Sequence, residues 1–175
     1  MRFAATSLLA LVALTVGCGP SQDLPVEPVS GFDLQRYLGT WYEIARMPVR
    51  FEEGLVNITA TYRLRDDGKV AVINQGFEDS AEGKLSVARG KAKFAGDQTV
   101  GHLLVSFFGP FYADYVIFEL DSAYSYAMVS GSSRKYLWIL AREPSMPDSL
   151  YNRLVSQARE KGFDTERLIK TPQSW

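Results

Sequence analysis

From Trp41 onward the chain alternates apolar and polar positions in short runs, each stopped by Gly, Pro, Asp, Asn or Ser. A period of two over such runs marks strands with one face toward a core. The runs are WYEIARM, NITATYRLR, KVAVINQGF, KLSVARGKAKF, GHLLVSFF, DYVIFELD, YSYAMVSG and KYLWILAR. Asp66, Asp67 and Gly68 give a tight hairpin signal between the second and third runs. GSSRK at 131–135 joins the seventh to the eighth. Eight strands in sequence with short connections predict an up-and-down antiparallel sheet, and closing it would remove its exposed edges.

The period then changes. After Pro147 and Asp148, the positions Leu150, Leu154, Val155 and Ala158 fall at helical spacing. Asp148 is the expected N-cap and Gly162 the expected C-cap. Such an amphipathic helix needs an apolar surface, and the outside of the sheet supplies one. FDTERLIKTPQ then closes the pattern with a short strand-like piece.

The N-terminus belongs to a different regime. Arg2 precedes an apolar run from Leu8 to Val16, too short for a span of about 20 residues and suited to a secretory signal. LTVGC resembles the bacterial lipobox, with Thr15 where Leu is usual, so Cys18 is the candidate lipidation site. Residues 1–17 are thus expected as a signal peptide, 18–30 as a Pro-rich lipidated tether and 31–175 as the folded domain. Cys18 is the only cysteine, which excludes an intrachain disulfide. His102 is the only histidine, so no His-paired metal site can form; neither metal nor cofactor is expected. A net charge of −1 without a basic stripe gives no reason to expect nucleic acid.

Three motifs in order carry a family resemblance: Gly39 and Trp41 as Gly-x-Trp; Asp121, Tyr124 and Ala127 in a turn; and Arg142 at the end of the eighth run. Ala123 stands where a second Asp is common. With the lipobox, these make the chain resemble the lipocalins, and within them the bacterial outer-membrane lipocalin lipoproteins. The resemblance implies a mainly β fold, an eight-stranded up-and-down antiparallel barrel with one C-terminal helix packed outside and a short final strand. It also implies that Trp41 plugs the closed end from within, Gly39 lets the chain pass beneath it and Arg142 lies over the indole. Those three residues are then structural.

With Arg142 at the closed end, alternation places Tyr136, Trp138 and Leu140 inward as cavity residues, and Leu137, Ile139 and Ala141 outward beneath the helix. On the sixth run either Tyr115 and Ile117 or Val116 and Phe118 face inward, and the first pair is taken as the candidate. Phe108, Phe111 and Tyr112 in the stretch FFGPFYAD are placed at the mouth, either as an aromatic gate or as packed rim residues, with Tyr112 among the candidate ligand-contacting residues. Arg50, Arg134 and Lys135 lie in loops at the same end, where they could meet an anionic head group but are read as solvated charges.

The implied ligand is a fatty acid or lysophospholipid, bound in a cavity tethered by lipidated Cys18 to the outer membrane, facing the periplasm. No catalysis is expected: the cysteine used by one isomerase-type lipocalin has no counterpart inside the barrel. The competing reading is a membrane-displayed interaction module with a filled core. A homodimer through outer sheet faces is compatible with the pattern.

Overall fold

The computed structural model describes residues 24–175; the expected signal peptide and Cys18 lie outside the described residues. After a four-residue helical turn α1 (Leu34–Tyr37), the strands are β1 (Gly39–Arg46), β2 (Leu55–Leu64), β3 (Val70–Glu78), β4 (Leu85–Phe94), β5 (His102–Phe108), β6 (Phe111–Leu120), β7 (Tyr126–Ser130) and β8 (Leu137–Ala141). Each is antiparallel to the next, and β1 pairs with both β2 and β8, which closes the barrel. Trp41 stands opposite Ala60 on one side, and Tyr42 opposite Ala141 on the other.

Beyond Tyr42 the strands β1 and β2 separate. The short β9 (Ile169–Lys170) takes the vacated edge of β1 beside Ala45 and Arg46. The following residues stitch the seam: Thr171 N–H donates to Ile44 O, Asn57 N–H to Pro172 O, and the Gln173 amide to Glu43 O and Ile58 O. Backbone groups that would otherwise be orphaned between two diverging strands are satisfied in this way.

Two apolar layers result. Outside the wall, Leu137, Ile139 and Ala141 of β8 meet Leu154 and Ala158 of helix α2 (Asp148–Glu160), as alternation required. Inside, a second cluster gathers around Trp41. The helix ends differ from expectation in detail. Pro147 occupies the N-cap position and Asp148 is the first helical residue without a side-chain cap bond, where its charge still complements the helix dipole. At the other end Gly162, at φ +86°, follows the C-cap Lys161. Phe163 N–H bonds Ala158 O and Gly162 N–H bonds Arg159 O, the paired bonds of a Schellman motif.

The described part of the expected tether is not free. Val26 is buried in the outer core cluster, Val29 exchanges backbone bonds with Ile117 and Gly101, and Ser30 bridges Val100. The stretch from Leu24 thus packs against the barrel, Leu24 and Val26 on the outer cluster and Val29 at the cluster around Trp41.

Candidate functional site

The floor of the barrel is built on Trp41, which is 0% exposed. Its ring lies 4.7 Å from that of Tyr37, and its indole N–H donates to Tyr37 O at 2.8 Å. The Arg142 guanidinium sits 3.9 Å from the indole centroid. It donates to the carbonyls of Thr40, Arg36, Tyr37, Leu38 and Tyr124, so one side chain satisfies the whole incoming turn. Gly39 makes this approach possible: its φ is +99°, and a Cβ there would stand 3.3 Å from Arg142 Nη1. Asp121 holds the neighbouring turn by accepting from the Ser125 hydroxyl and from Ser125 and Ala123 N–H; these bonds, the hydroxyl's first, lower its pKa. Tyr124, three positions on, accepts from Asp33 N–H at its hydroxyl.

Above the plug, three phenols meet. Tyr115 Oη lies 2.8 Å from Tyr37 Oη and 2.7 Å from Tyr62 Oη. Burial pushes all three pKa values up, so the hydroxyls stay protonated. Two bonds use two of the three hydrogens, and the third is left to whatever fills the space above.

That space is a cavity of about 300 Å³, at the small end of the range for ligand sites. Ile58, Ala60, Val72, Val105, Phe107 and Leu140 supply its apolar wall. One sector is polar. Glu43 accepts from Thr171 Oγ1 and, at 3.1 Å, from Arg46 Nη1. Arg46 Nη2 donates to Glu52 O at 2.7 Å, its Nε lies 3.6 Å from Glu52 Oε2, and Trp138 Nε1 donates to that same oxygen at 3.1 Å. Burial, then the charge of Glu43, pushes the Glu52 carboxyl up to about 8, against the pull of Trp138 and Arg46. Burial raises Glu43 as well. At neutral pH Glu52 is thus mostly protonated, so the arginine does not face two full charges. On the neighbouring strands β2 and β3, Thr59 Oγ1 and Asn74 Oδ1 at the cavity wall are buried without a hydrogen-bond partner in the protein.

A model of the family described as a lipocalin-like domain matches residues 32–173. The chain belongs to the lipocalins. It is 49% identical over 149 residues to the outer membrane lipoprotein Blc of Vibrio cholerae, covering 85% of this chain and 86% of that one. Identity to the protein of the same name from Escherichia coli is 46% over 173 residues, 95% of this chain and 97% of that one. The structure of insecticyanin from the tobacco hornworm superposes with a TM-score of 0.69 at 22% identity, over 85% of each chain, which shows a shared fold.

In this lipocalin the residues singled out in the sequence do not all share one surface. Tyr115, Trp138 and Leu140 line the cavity, and Tyr136 stacks on Trp138 at the rim, rings 6.2 Å apart and 8° from parallel. Ile117 faces inward but lies fully buried below the cavity, in the cluster around the floor. Tyr112 is a correction. It faces outward, with Lys93 Nζ 4.8 Å and Lys91 Nζ 5.8 Å from its ring centroid. The stretch FFGPFYAD is not a loop: β5 and β6 run up to a two-residue turn, Gly109–Pro110, and Phe108 pairs with Phe111. Alternation therefore continues through Tyr112 and puts it opposite in facing to Tyr115.

Phe108 and Phe111 are 82% and 78% exposed and are not among the residues that line the cavity. Besides Tyr136, the rim aromatic that lines the cavity is Phe51, 66% exposed in the β1–β2 connection. Arg134 is engaged elsewhere, donating to Lys161 O at the helix end. His102 Nε2 bonds Asp114 Oδ1 at 2.9 Å. Among the described residues no group of His, Cys, Asp and Glu is arranged to hold a metal. The sequence reading missed Glu43, Glu52, Thr59 and Asn74. Glu43 had a signal, since it stands two residues after Trp41 and so shares its face.

Proposed function

We propose that this lipocalin binds amphiphiles with an acyl chain, fatty acids or lysophospholipids, and stores or carries them at the bacterial envelope. The observation that carries the reading is a sealed, fully hydrogen-bonded floor beneath an apolar cavity open at the other end. About ten methylenes buried at about 0.8 kcal/mol each supply roughly 8 kcal/mol, the scale of micromolar affinity before ordering costs. Tyr136, Trp138, Leu140 and Tyr115 are the proposed contacts. Lipidated Cys18 would hold the barrel at the outer membrane, facing the periplasm, a reading supported by the lipobox and by the names of the bacterial relatives. The one histidine is spent on Asp114, which favours a carrier over a catalyst.

The test is to purify the protein from cells, extract it and identify bound lipid by mass spectrometry, then titrate it with a fluorescent fatty acid. Near-stoichiometric lipid and displaceable probe are expected. An empty protein that ignores the probe would instead favour the membrane-displayed interaction module. Intact-mass measurement of the mature chain is expected to show acylated Cys18 as the first residue.

A further inference from the structure

We propose that the open rim of the barrel docks on the phospholipid bilayer that holds the anchor, with the β5–β6 hairpin tip as its apolar contact. The inference rests on the reading that Cys18 is lipidated. Its first support is where the described chain begins. Leu24 to Pro28 share one surface depression with Arg134, Glu160 and Lys161, which are the β7–β8 turn at the mouth and the end of α2. From there the segment runs down the outer wall past Ile117, and Phe32 reaches the floor, its ring 5.3 Å from that of Tyr37.

The chain is therefore received at the mouth and led to the closed end. Cys18 lies six residues before Leu24, a reach of at most about 20 Å. The ten-residue β6 alone is about 33 Å long. An anchor on so short a lead cannot reach round to the floor, so the bilayer lies on the mouth side.

The second support is what the mouth presents there. Phe108 and Phe111 project from the tip of a hairpin whose neighbour in the rim is the β7–β8 turn, with Lys135 exposed on it. The turn that flanks the hairpin on its other side, β3–β4, carries exposed Glu78, Asp79 and Glu82, with Lys84 3.6 Å from Glu78. A tilt toward the side between the β5–β6 and β7–β8 turns puts aromatic rings and a lysine into the head-group region and lifts the β3–β4 carboxylates farther from it. Exposed apolar tips with no partner in the fold are expected where a second surface covers them. Phe51 and Tyr136 then stand where an amphiphile can pass from bilayer to cavity without crossing bulk water.

The experiment uses the full lipidated protein in phosphatidylethanolamine–phosphatidylglycerol vesicles containing brominated acyl chains, with a bimane label at F111C or, at the opposite end, at D66C. Quenching at position 111 and none at 66 is expected. The pair F108S and F111S is expected to slow transfer of a fluorescent fatty acid from vesicle to protein several-fold while leaving its affinity in detergent unchanged. Quenching at 66 equal to that at 111, or none at either on protein that floats with the vesicles, overturns the docking and leaves the carrier reading intact. So does a dimer that F108S and F111S dissociate, since the tip would then meet a second chain. A protein that does not float with vesicles removes the anchor and the docking together, whereas lost fatty-acid binding in detergent strikes the carrier reading itself.

Discussion

The two ends of the barrel each set an arginine beside a tryptophan, with opposite results. At the floor, Arg142 lies flat on Trp41 and spends its donors on neutral backbone carbonyls. Near the mouth, Arg46 faces two buried carboxyls, its Nε lacks a hydrogen bond, and Trp138 bonds Glu52 rather than stacking on the cation. The first arrangement is satisfied and insensitive to pH; the second holds a proton that a change of pH can remove. Rigidity follows from closing hydrogen bonds on groups that cannot titrate, and responsiveness from closing them on groups that can.

The sharpest way to break this contrast is at the plug. Trp41→Ala is expected to destabilise the protein by about 3–5 kcal/mol in denaturant titration. A loss below about 1 kcal/mol would remove the floor's structural role. The pH dependence comes next. Glu52 titrates near 8 in the folded protein against an ordinary 4.5, so it binds more protons folded than unfolded between those values. Its contribution to stability is complete below about pH 4.5 and is lost as pH rises through about 8. Melting temperature is expected to fall across that window, and Glu52→Gln is expected to flatten the fall; an unchanged slope refutes the assignment.

Smaller effects test the wall. Trp138→Ala is expected to weaken fluorescent fatty-acid binding about tenfold, or about 1.4 kcal/mol, with a lesser effect on folding than the change at Trp41. If stability falls more than affinity, Trp138 is a core residue. Least of all, Tyr112→Ala should leave that affinity unchanged, because the ring lies outside beneath Lys91 and Lys93. A measurable loss would put Tyr112 back at the cavity.

What could be read ahead of the structure depended on fixed markers. Arg142 set the phase of β8, and five alternating positions then fell on their faces. No such marker lay near Tyr112, and the Gly109–Pro110 turn, read as part of a loop, broke an alternation that the folded hairpin preserves. The segment from Leu24 was read as a tether from its prolines, yet its valines bind a wall assembled from strands about ninety residues away. The acidic cluster was half legible. Glu43 shares the face of Trp41, whereas its partner Thr171 is 128 residues distant and no periodicity relates the two. Local pattern reports facing; it carries no record of which distant residue supplies the counterpart.

The stitching of β1 to β2 has a consequence for how the molecule is made. Gln173 reaches acceptors 115 and 130 residues upstream, so its bonds across the seam cannot form until all eight barrel strands have been synthesised. The latch nearest the guest is thus supplied by a stretch made after the wall it fastens.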